Sequence, residues 1–293
     1  MVIGTSYVFQ TDSEEVNIVY KNNKNYIIET ESNINKNISY CVIYFSSNDI
    51  YYPNAKEAFM KQVVNKNRFE WYKTRVKKAS KHIFLRDIKK QWYLTGINSE
   101  INTIEKIFEF LKKETEGYNI ITVGSSAGGY AAVLFGQLLK ADISYSFNGQ
   151  FMLSDLLQTS SESIDPILFR EQYNNSINKY FSLRPYISTP ESVYYFYSNR
   201  SKWDIIQKDH ILDLGINIIS FKTGHHGVPF LKSSLTSLLL LSKEELRMFS
   251  KKKQYPLIFS IKMEGLFNAI RSAFIIIVKL LIKKYNFKKY SKK

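Results

Sequence analysis

The chain has 293 residues, 44% hydrophobic and 23% charged, which excludes whole-chain disorder and suffices for one large α/β domain with a sizeable core. The only cysteine, Cys41, sits in the apolar run Tyr40–Phe45, so an intramolecular disulfide is excluded and a buried structural thiol is expected. The net charge of +15 is lopsided: residues 251–293 hold 12 Lys/Arg against one acid, Glu264, and carry +11 of it, which leaves a near-neutral body without the basic stripe that nucleic acid requires.

In chain order, Met1–Thr5 lacks the basic and apolar regions of a secretory signal, so a cytoplasmic location is expected. The first 38 residues suggest short antiparallel strands, with Asn22–Asn25 turning between Val16–Tyr20 and Tyr26–Glu29. From Ser39 onward strands alternate with helices: strand 39–45, helix 55–78, strand 82–85, helix 99–113, strand 119–123, helix 128–139 and strand 143–147. A polar, irregular stretch, 150–190, breaks the rhythm and predicts a helical cap. The rhythm resumes with strand 192–197, helix 203–212, strand 216–221 and helix 229–241. Such alternation predicts an α/β fold with a mostly parallel central sheet covered by helices on both faces. Residues 1–250 then form one domain with the cap as an insertion, followed by a basic amphipathic helix and tail over 251–293.

In that last segment the apolar run Ala273–Val278 is too short to span a bilayer. Arg271 and Lys279 interrupt the helix, and Lys283, Lys284, Lys288, Lys289, Lys292 and Lys293 follow. A helix of this kind suits the surface of an anionic inner leaflet. The other reading is a helix docked on the body with a solvated lysine tail.

The run Gly124-Ser125-Ser126-Ala127-Gly128-Gly129 places a G-x-S-x-G pattern between a strand and a helix, the setting of a nucleophile elbow. Ser126 is the predicted nucleophile. The backbone N–H of Ala127 is one expected oxyanion donor, and Ser46 or Ser47, after strand 39–45, the other. No G-x-G-x-x-G or Gly-Lys-Ser/Thr accompanies the turn, so a phosphate-binding loop is not indicated. The base should follow the strand 216–221, where His225 and His226 stand; His226, directly before Gly227, is favoured. His210 and His82 read as structural or surface residues. Asp204 is the first carboxylate after strand 192–197 and the expected acid; Asp209, a turn later, is the alternative, and a mere helix cap is the plain reading of Asp204. Arg86, Trp92 and Tyr93, and Asn148 and Gln150, follow strands at the ligand-binding edge and are candidate substrate contacts. No metal site is expected.

The elbow Ile121–Ala132, continuing through Leu134-Phe135-Gly136, together with the Gly-His-His loop, resembles bacterial α/β-hydrolase-like proteins of capsule and surface-polysaccharide loci, among them capsule polysaccharide O-acetyltransferases with a Ser-Asp-His triad. The resemblance covers about residues 39–240. The His-Gly pair usual after the first buried strand of lipases is absent. The resemblance implies acetylation of Ser126, with Asp204 as acid and His226 as base. It also implies acetyl-CoA as a donor that is not tightly bound and a glycan hydroxyl as acceptor; a membrane location of the tail would suit work beside a polysaccharide assembly complex. The same residues would serve a carbohydrate esterase or deacetylase. A reading of another class is an inactive hydrolase fold acting as a membrane-docked assembly factor.

Overall fold

In the computed structural model, which describes residues 6–31 and 39–290, six stretches pair side by side as parallel strands, and all but the last are buried on both faces along most of their length. The strands are β1 Tyr26–Thr30, β2 Tyr40–Phe45, β3 Ala79–Leu85, β4 Asn119–Ser125, β5 Ile143–Phe147, β6 Val193–Ser198 and β7 Asn217–Phe221. Their order across the sheet is β1-β3-β2-β4-β5-β6-β7. Every neighbouring pair is parallel except β1–β3, at one edge.

Alternation along each strand builds two cores. Cys41, Ile43 and Phe45 of β2 face a cluster with helices α2 (Ile104–Glu114) and α3 (Ala127–Leu138), while Val42 and Tyr44 face a second cluster that includes Val228, Phe230 and Leu246. Cys41 is fully buried, and burial pushes its thiol up to about 12, so it is inert packing at neutral pH. Helix α2 begins at Ile104, not at Ser99. The Asn98 side chain accepts the N–H groups of Glu100 and Ile101 in a turn, and Thr103 then caps the helix by accepting from Lys106 N–H.

Three other expectations need correction. Val16–Tyr20 is not a strand but part of helix α1, Glu14–Asn22, so the hairpin does not form. Val16 and Val19 are buried at helical spacing, Ser13 caps the helix, and β1 pairs with β3 instead. The helix expected over 55–78 is helical only through Lys56–Phe59 and the wide turn Met60–Asn65. The buried Arg86 guanidinium takes the carbonyls of Val63 and Arg68, supplying partners that a continuing helix would have supplied itself. The helix expected over 229–241 is reduced to the 3₁₀ turn Lys232–Ser234 and one turn, Leu235–Leu238. Met1–Thr5, Lys292 and Lys293 lie outside the described residues, as do the side chains of Lys279, Lys283, Lys284, Lys288 and Lys289.

The stretch 150–190 holds the short helices Leu156–Thr159, Pro166–Arg170 and Asn175–Asn178. Arg170 pins it to the N-terminal segment through a two-pronged contact with Asp12, at 2.7 and 2.9 Å. Helix α4 (Lys202–Asp209) follows β6, and α5 (Lys243–Ser250), α6 (Pro256–Glu264) and α7 (Leu266–Tyr290) follow β7. Among the described residues no helix is long and apolar enough to cross a membrane.

Candidate active site

Strand β4 ends in a turn that holds Ser126 at φ +52°, ψ −122°, a conformation that L-residues rarely adopt. The two flanking glycines make this turn feasible. A Cβ on Gly124 would lie 2.0 Å from the Gly128 carbonyl oxygen, and one on Gly128 would lie 2.3 Å from the Phe45 carbonyl oxygen. Ser126 N–H donates to the Phe147 carbonyl at 2.9 Å, and α3 starts at the next residue. The Ser126 hydroxyl therefore stands above the strand ends, with the free N–H groups of a helix beginning behind it.

His226 reaches this hydroxyl from the loop after β7, and Asp204 reaches His226 from the segment after β6. Ser201 caps α4, accepting the Asp204 N–H, and so sets Asp204 in the first turn with its side chain turned inward, 1% exposed. Asp204 Oδ1 lies 2.8 Å from His226 Nδ1, and His226 Nε2 lies 2.9 Å from Ser126 Oγ. Both contacts are hydrogen bonds in one neutral tautomer: Nδ1–H donates to the carboxylate and Nε2 accepts from the hydroxyl. Asp204 Oδ2 is buried with no hydrogen-bond partner among the described residues. The imidazole is therefore the main hydrogen-bond partner of this buried carboxylate. Trp203 packs its ring edgewise on His226, 5.7 Å between centroids, and limits the swing of the imidazole.

The other candidates fall elsewhere. Asp209 is exposed and paired with Lys208, and the carboxylate bonded to the imidazole is that of Asp204. His210 pairs with Asp155 at 2.5 Å. His82 is buried between the Tyr44 hydroxyl and Glu31, and burial lowers its pKa. His225 lines the cleft; partial burial and the neighbouring His226 hold its pKa below the usual value.

Of the expected substrate contacts, only Gln150 touches the nucleophile: its Nε2 lies 3.4 Å from Ser126 Oγ, and Trp92 Nε1 holds its other end at 3.1 Å. Arg86, Trp92, Tyr93 and Asn148 are buried and serve as supports, not as cleft walls. Arg86 donates to Asn25 and two backbone carbonyls, lies over the Phe69 ring, and is drawn down to about 10 by burial. The Asp87 carboxylate gathers the N–H groups of Lys89, Gln91 and Tyr93 into a tight loop. That loop delivers the Tyr93 hydroxyl to the Ser46 carbonyl at 3.1 Å. Asn148 Nδ2 donates to the carbonyls of His225 and Gly227, at 3.2 and 2.7 Å, and so clamps the histidine loop from beneath.

The oxyanion donors also need correction. Ser46 N–H is spent on the Leu85 carbonyl at 3.1 Å, extending the β2–β3 ladder, so it faces away from the reaction. Ser47 N–H points to the cleft but donates to Glu70 Oε2 at 2.6 Å. Ala127, at the first position of α3, keeps the place expected for it. The cleft itself measures about 260 Å³ and is lined by Ser47, Glu70, Ser126, His225, His226 and Lys232 among others. Glu70, Lys232 and Trp203 were missed in the sequence. Trp203 could have been noticed beside Asp204; Glu70 and Lys232 lie in irregular stretches whose path depends on tertiary contacts.

The elbow at the end of a central parallel strand, and Ser126, Asp204 and His226 in that chain order after β4, β6 and β7, make this an α/β-hydrolase-like fold. No family model matches the sequence, and no curated protein matches it. Among solved structures it is similar to the capsule O-acetyltransferase of Neisseria meningitidis serogroup A (13% identity, 78% of this chain and 92% of that one, TM-score 0.45), of which a variant was solved with CoA. It is also similar to esterase B of Lactobacillus rhamnosis (11% identity, 77% and 84%, TM-score 0.41) and to an S-formylglutathione hydrolase of Agrobacterium tumefaciens (9% identity, 77% and 88%, TM-score 0.43). Likenesses this distant say nothing of what this chain acts on.

Proposed function

We propose that the chain is a serine-dependent acyl-transfer enzyme acting through an acyl-Ser126 intermediate. The observation that carries this reading is the unbroken relay Ser126 Oγ–His226–Asp204, at 2.9 and 2.8 Å, on a strained elbow. Ser126 Oγ attacks the donor carbonyl while His226 Nε2 takes its proton. Asp204 holds the imidazole and stabilises the imidazolium, and the proton then passes to the leaving group. In the second half an acceptor hydroxyl gives its proton to His226 as its oxygen attacks the acyl carbonyl, which releases Ser126. The helix N–H at Ala127 supports the tetrahedral oxyanion, joined by Ser47 N–H when Glu70 yields it.

The sequence resemblance to capsule O-acetyltransferases supports an acetyl group from acetyl-CoA and a surface-polysaccharide hydroxyl as acceptor. Water as acceptor would make the same machinery a carbohydrate esterase or deacetylase. Incubation with acetyl-CoA and polysaccharide, read by mass spectrometry, separates the two: mass gain on the glycan supports transfer, and acetate release without gain supports hydrolysis. A fluorophosphonate probe tests the reading beneath both. Labelling that disappears in Ser126→Ala is the expected result; an unlabelled native protein would favour the inactive assembly factor.

The reading extends to an anionic membrane surface. Leu266, Phe267, Ile270, Phe274, Ile277 and Leu281 are 54–78% exposed and recur at spacings that share one face of α7. Ala269, fully buried, roots the helix against the body. An apolar stripe of this length left in water is costly, and the lysine-rich sequence at its end selects anionic headgroups among apolar surfaces. Co-sedimentation with vesicles of phosphatidylcholine, with and without phosphatidylglycerol, is expected to show binding only to the anionic vesicles. Phe267→Glu together with Phe274→Glu should abolish it while probe labelling persists; a face that instead pairs two copies would appear as a dimer in light scattering.

A further inference from the structure

Behind the catalytic loops lies a second, larger cavity of about 420 Å³ that shares no lining residue with the cleft at Ser126. Its charged lining is wholly cationic: Arg200, Lys208, Lys222 and Lys253. Lys208 is paired with Asp209, but among the described residues Arg200, Lys222 and Lys253 have no carboxylate partner. The rest of the wall is Tyr197, Ile205 and Tyr255, with the neutral amide of Asn199.

The walls are held by main-chain ties, not by side chains alone. Arg200 N–H donates to the Thr223 carbonyl at 3.0 Å, Lys222 N–H to the Gln254 carbonyl at 2.8 Å, and Gln254 N–H back to the Ser220 carbonyl at 2.7 Å. This ladder holds Gln254 between Ser220 and Lys222, and places Lys222 Nζ 3.3 Å from the Tyr255 hydroxyl and 5.0 Å from the Tyr255 ring centroid. Cations convergent on a concave wall repel one another and favour an anion between them. A guanidinium and ammonium groups beside flat rings suit a phosphoryl group whose organic part lies against an aromatic face.

We propose that this cavity binds a phosphate ester, with the phosphoryl group on Arg200, Lys222 and Lys253 and the organic part against Tyr197, Ile205 and Tyr255. Its volume falls within the range of small-ligand sites. Arg200 lies on the loop between β6 and Asp204, and Lys222 lies between β7 and His226, so an occupant ties together the two loops that carry the acid and the base. The ester could belong to a nucleotide-bearing acyl donor or to a phosphorylated glycan acceptor. The binding stands apart from the acyl reading; only the assignment to donor or acceptor rests on it.

Titration calorimetry with the full chain tests the site, using ADP, glucose 1-phosphate and inorganic phosphate as probes and adenosine as the neutral control. Saturable binding of ADP or of glucose 1-phosphate is expected, weakening with added salt, and reduced roughly 10-fold or more in Lys222→Ala/Lys253→Ala. Preference for ADP assigns the donor; preference for glucose 1-phosphate assigns the acceptor. Both lysines are exposed, and fluorophosphonate labelling of Ser126 in the double variant reports that the fold persists. No binding of either ester, equal binding to the double variant, or binding of inorganic phosphate alone would overturn the proposal. A labelled Ser126 without ester binding leaves the acyl reading standing; ester binding without labelling does the reverse.

Discussion

Ser47 gives its backbone N–H to Glu70 Oε2 at 2.6 Å, at the mouth of the cleft that Ser126 and His226 share. A charge-assisted bond of this length holds the loop after β2 in a fixed conformation. It also places a negative charge where an oxyanion would seek a donor. A substrate carbonyl must displace the carboxylate or react with the Ala127 N–H alone.

Removing the carboxylate should therefore quicken attack on small activated esters. One oxyanion donor contributes on the order of 10²- to 10³-fold in rate, and because Glu70 can move aside in the wild type, Glu70→Ala is expected to raise kcat/KM for p-nitrophenyl acetate by a smaller factor, roughly 10-fold. Glu70→Gln, still able to accept from Ser47, should gain less. A fall in rate with unchanged thermal stability would show instead that Glu70 takes part in the reaction.

Gly128 supports a sharper test of the elbow, because what its Cβ would strike is backbone. Phe45 O at 2.3 Å and Ser46 O at 2.8 Å belong to β2 and the loop behind it, and neither can step aside without moving the sheet. Gly128→Ala should destabilise the fold by about 3 kcal/mol or more and abolish probe labelling. Gly117, at φ +78° with nothing near its Cβ, is the control. There Ala is expected to cost only about 1 kcal/mol, the price of the backbone conformation. Urea denaturation of the two variants gives the comparison, and equal losses would contradict the steric argument.

Asn148 separates positioning from contact. It is fully buried, accepts from Ser198 N–H at 2.8 Å through Oδ1, and holds the carbonyls on either side of His226 through Nδ2. Asn148→Asp keeps the shape but turns a donor into an acceptor that faces two carbonyls. The expected result is a fall in kcat of roughly 10- to 100-fold with little change in KM, since the base is misplaced while the cleft is intact. A rise in KM at constant kcat would mean that Asn148 touches substrate after all.

These residues also show what the sequence could and could not reveal. The elbow was legible because G-x-S-x-G, a buried strand and an apolar helix are contiguous, and local sterics dictate the turn. Asp204 and His226 were legible as the polar residues after the strands that follow. Glu70 was not, because the helix expected over 55–78 gives way where Arg86, distant in sequence, captures the carbonyls of Val63 and Arg68. Arg86, Trp92 and Tyr93 looked like cleft residues for the same reason in reverse. Charge and aromaticity after a strand suggest a ligand, yet here the Asp87 carboxylate folds the loop inward and makes them foundations. At the N-terminal end Val16 and Val19 carry a helical spacing too short to outweigh an apparent hairpin turn.

Lys90 ties stability to pH. It is 8% exposed with its Nζ 4.4 Å from the Tyr51 ring centroid, and burial lowers its pKa from 10.5 to about 8. The unfolded chain keeps this proton up to about 10.5, whereas the folded chain releases it near 8. Between those values the unfolded state binds more protons, so this group's contribution to stability rises with pH across that window. Below about 8 the penalty for burying the charge is present in full. The shift corresponds to a penalty on the order of 3 kcal/mol, partly offset by contact with the Tyr51 ring. Lys90→Met should therefore stabilise the fold at pH 7 by about 1–2 kcal/mol. The gain should shrink as the pH approaches 10, where wild-type Lys90 is neutral. Denaturant midpoints of the two proteins at pH 7, 8.5 and 10 measure the difference directly and cancel the titration of the many buried tyrosines. A gain that stays constant with pH would show that the charge of Lys90 is not what the fold resists.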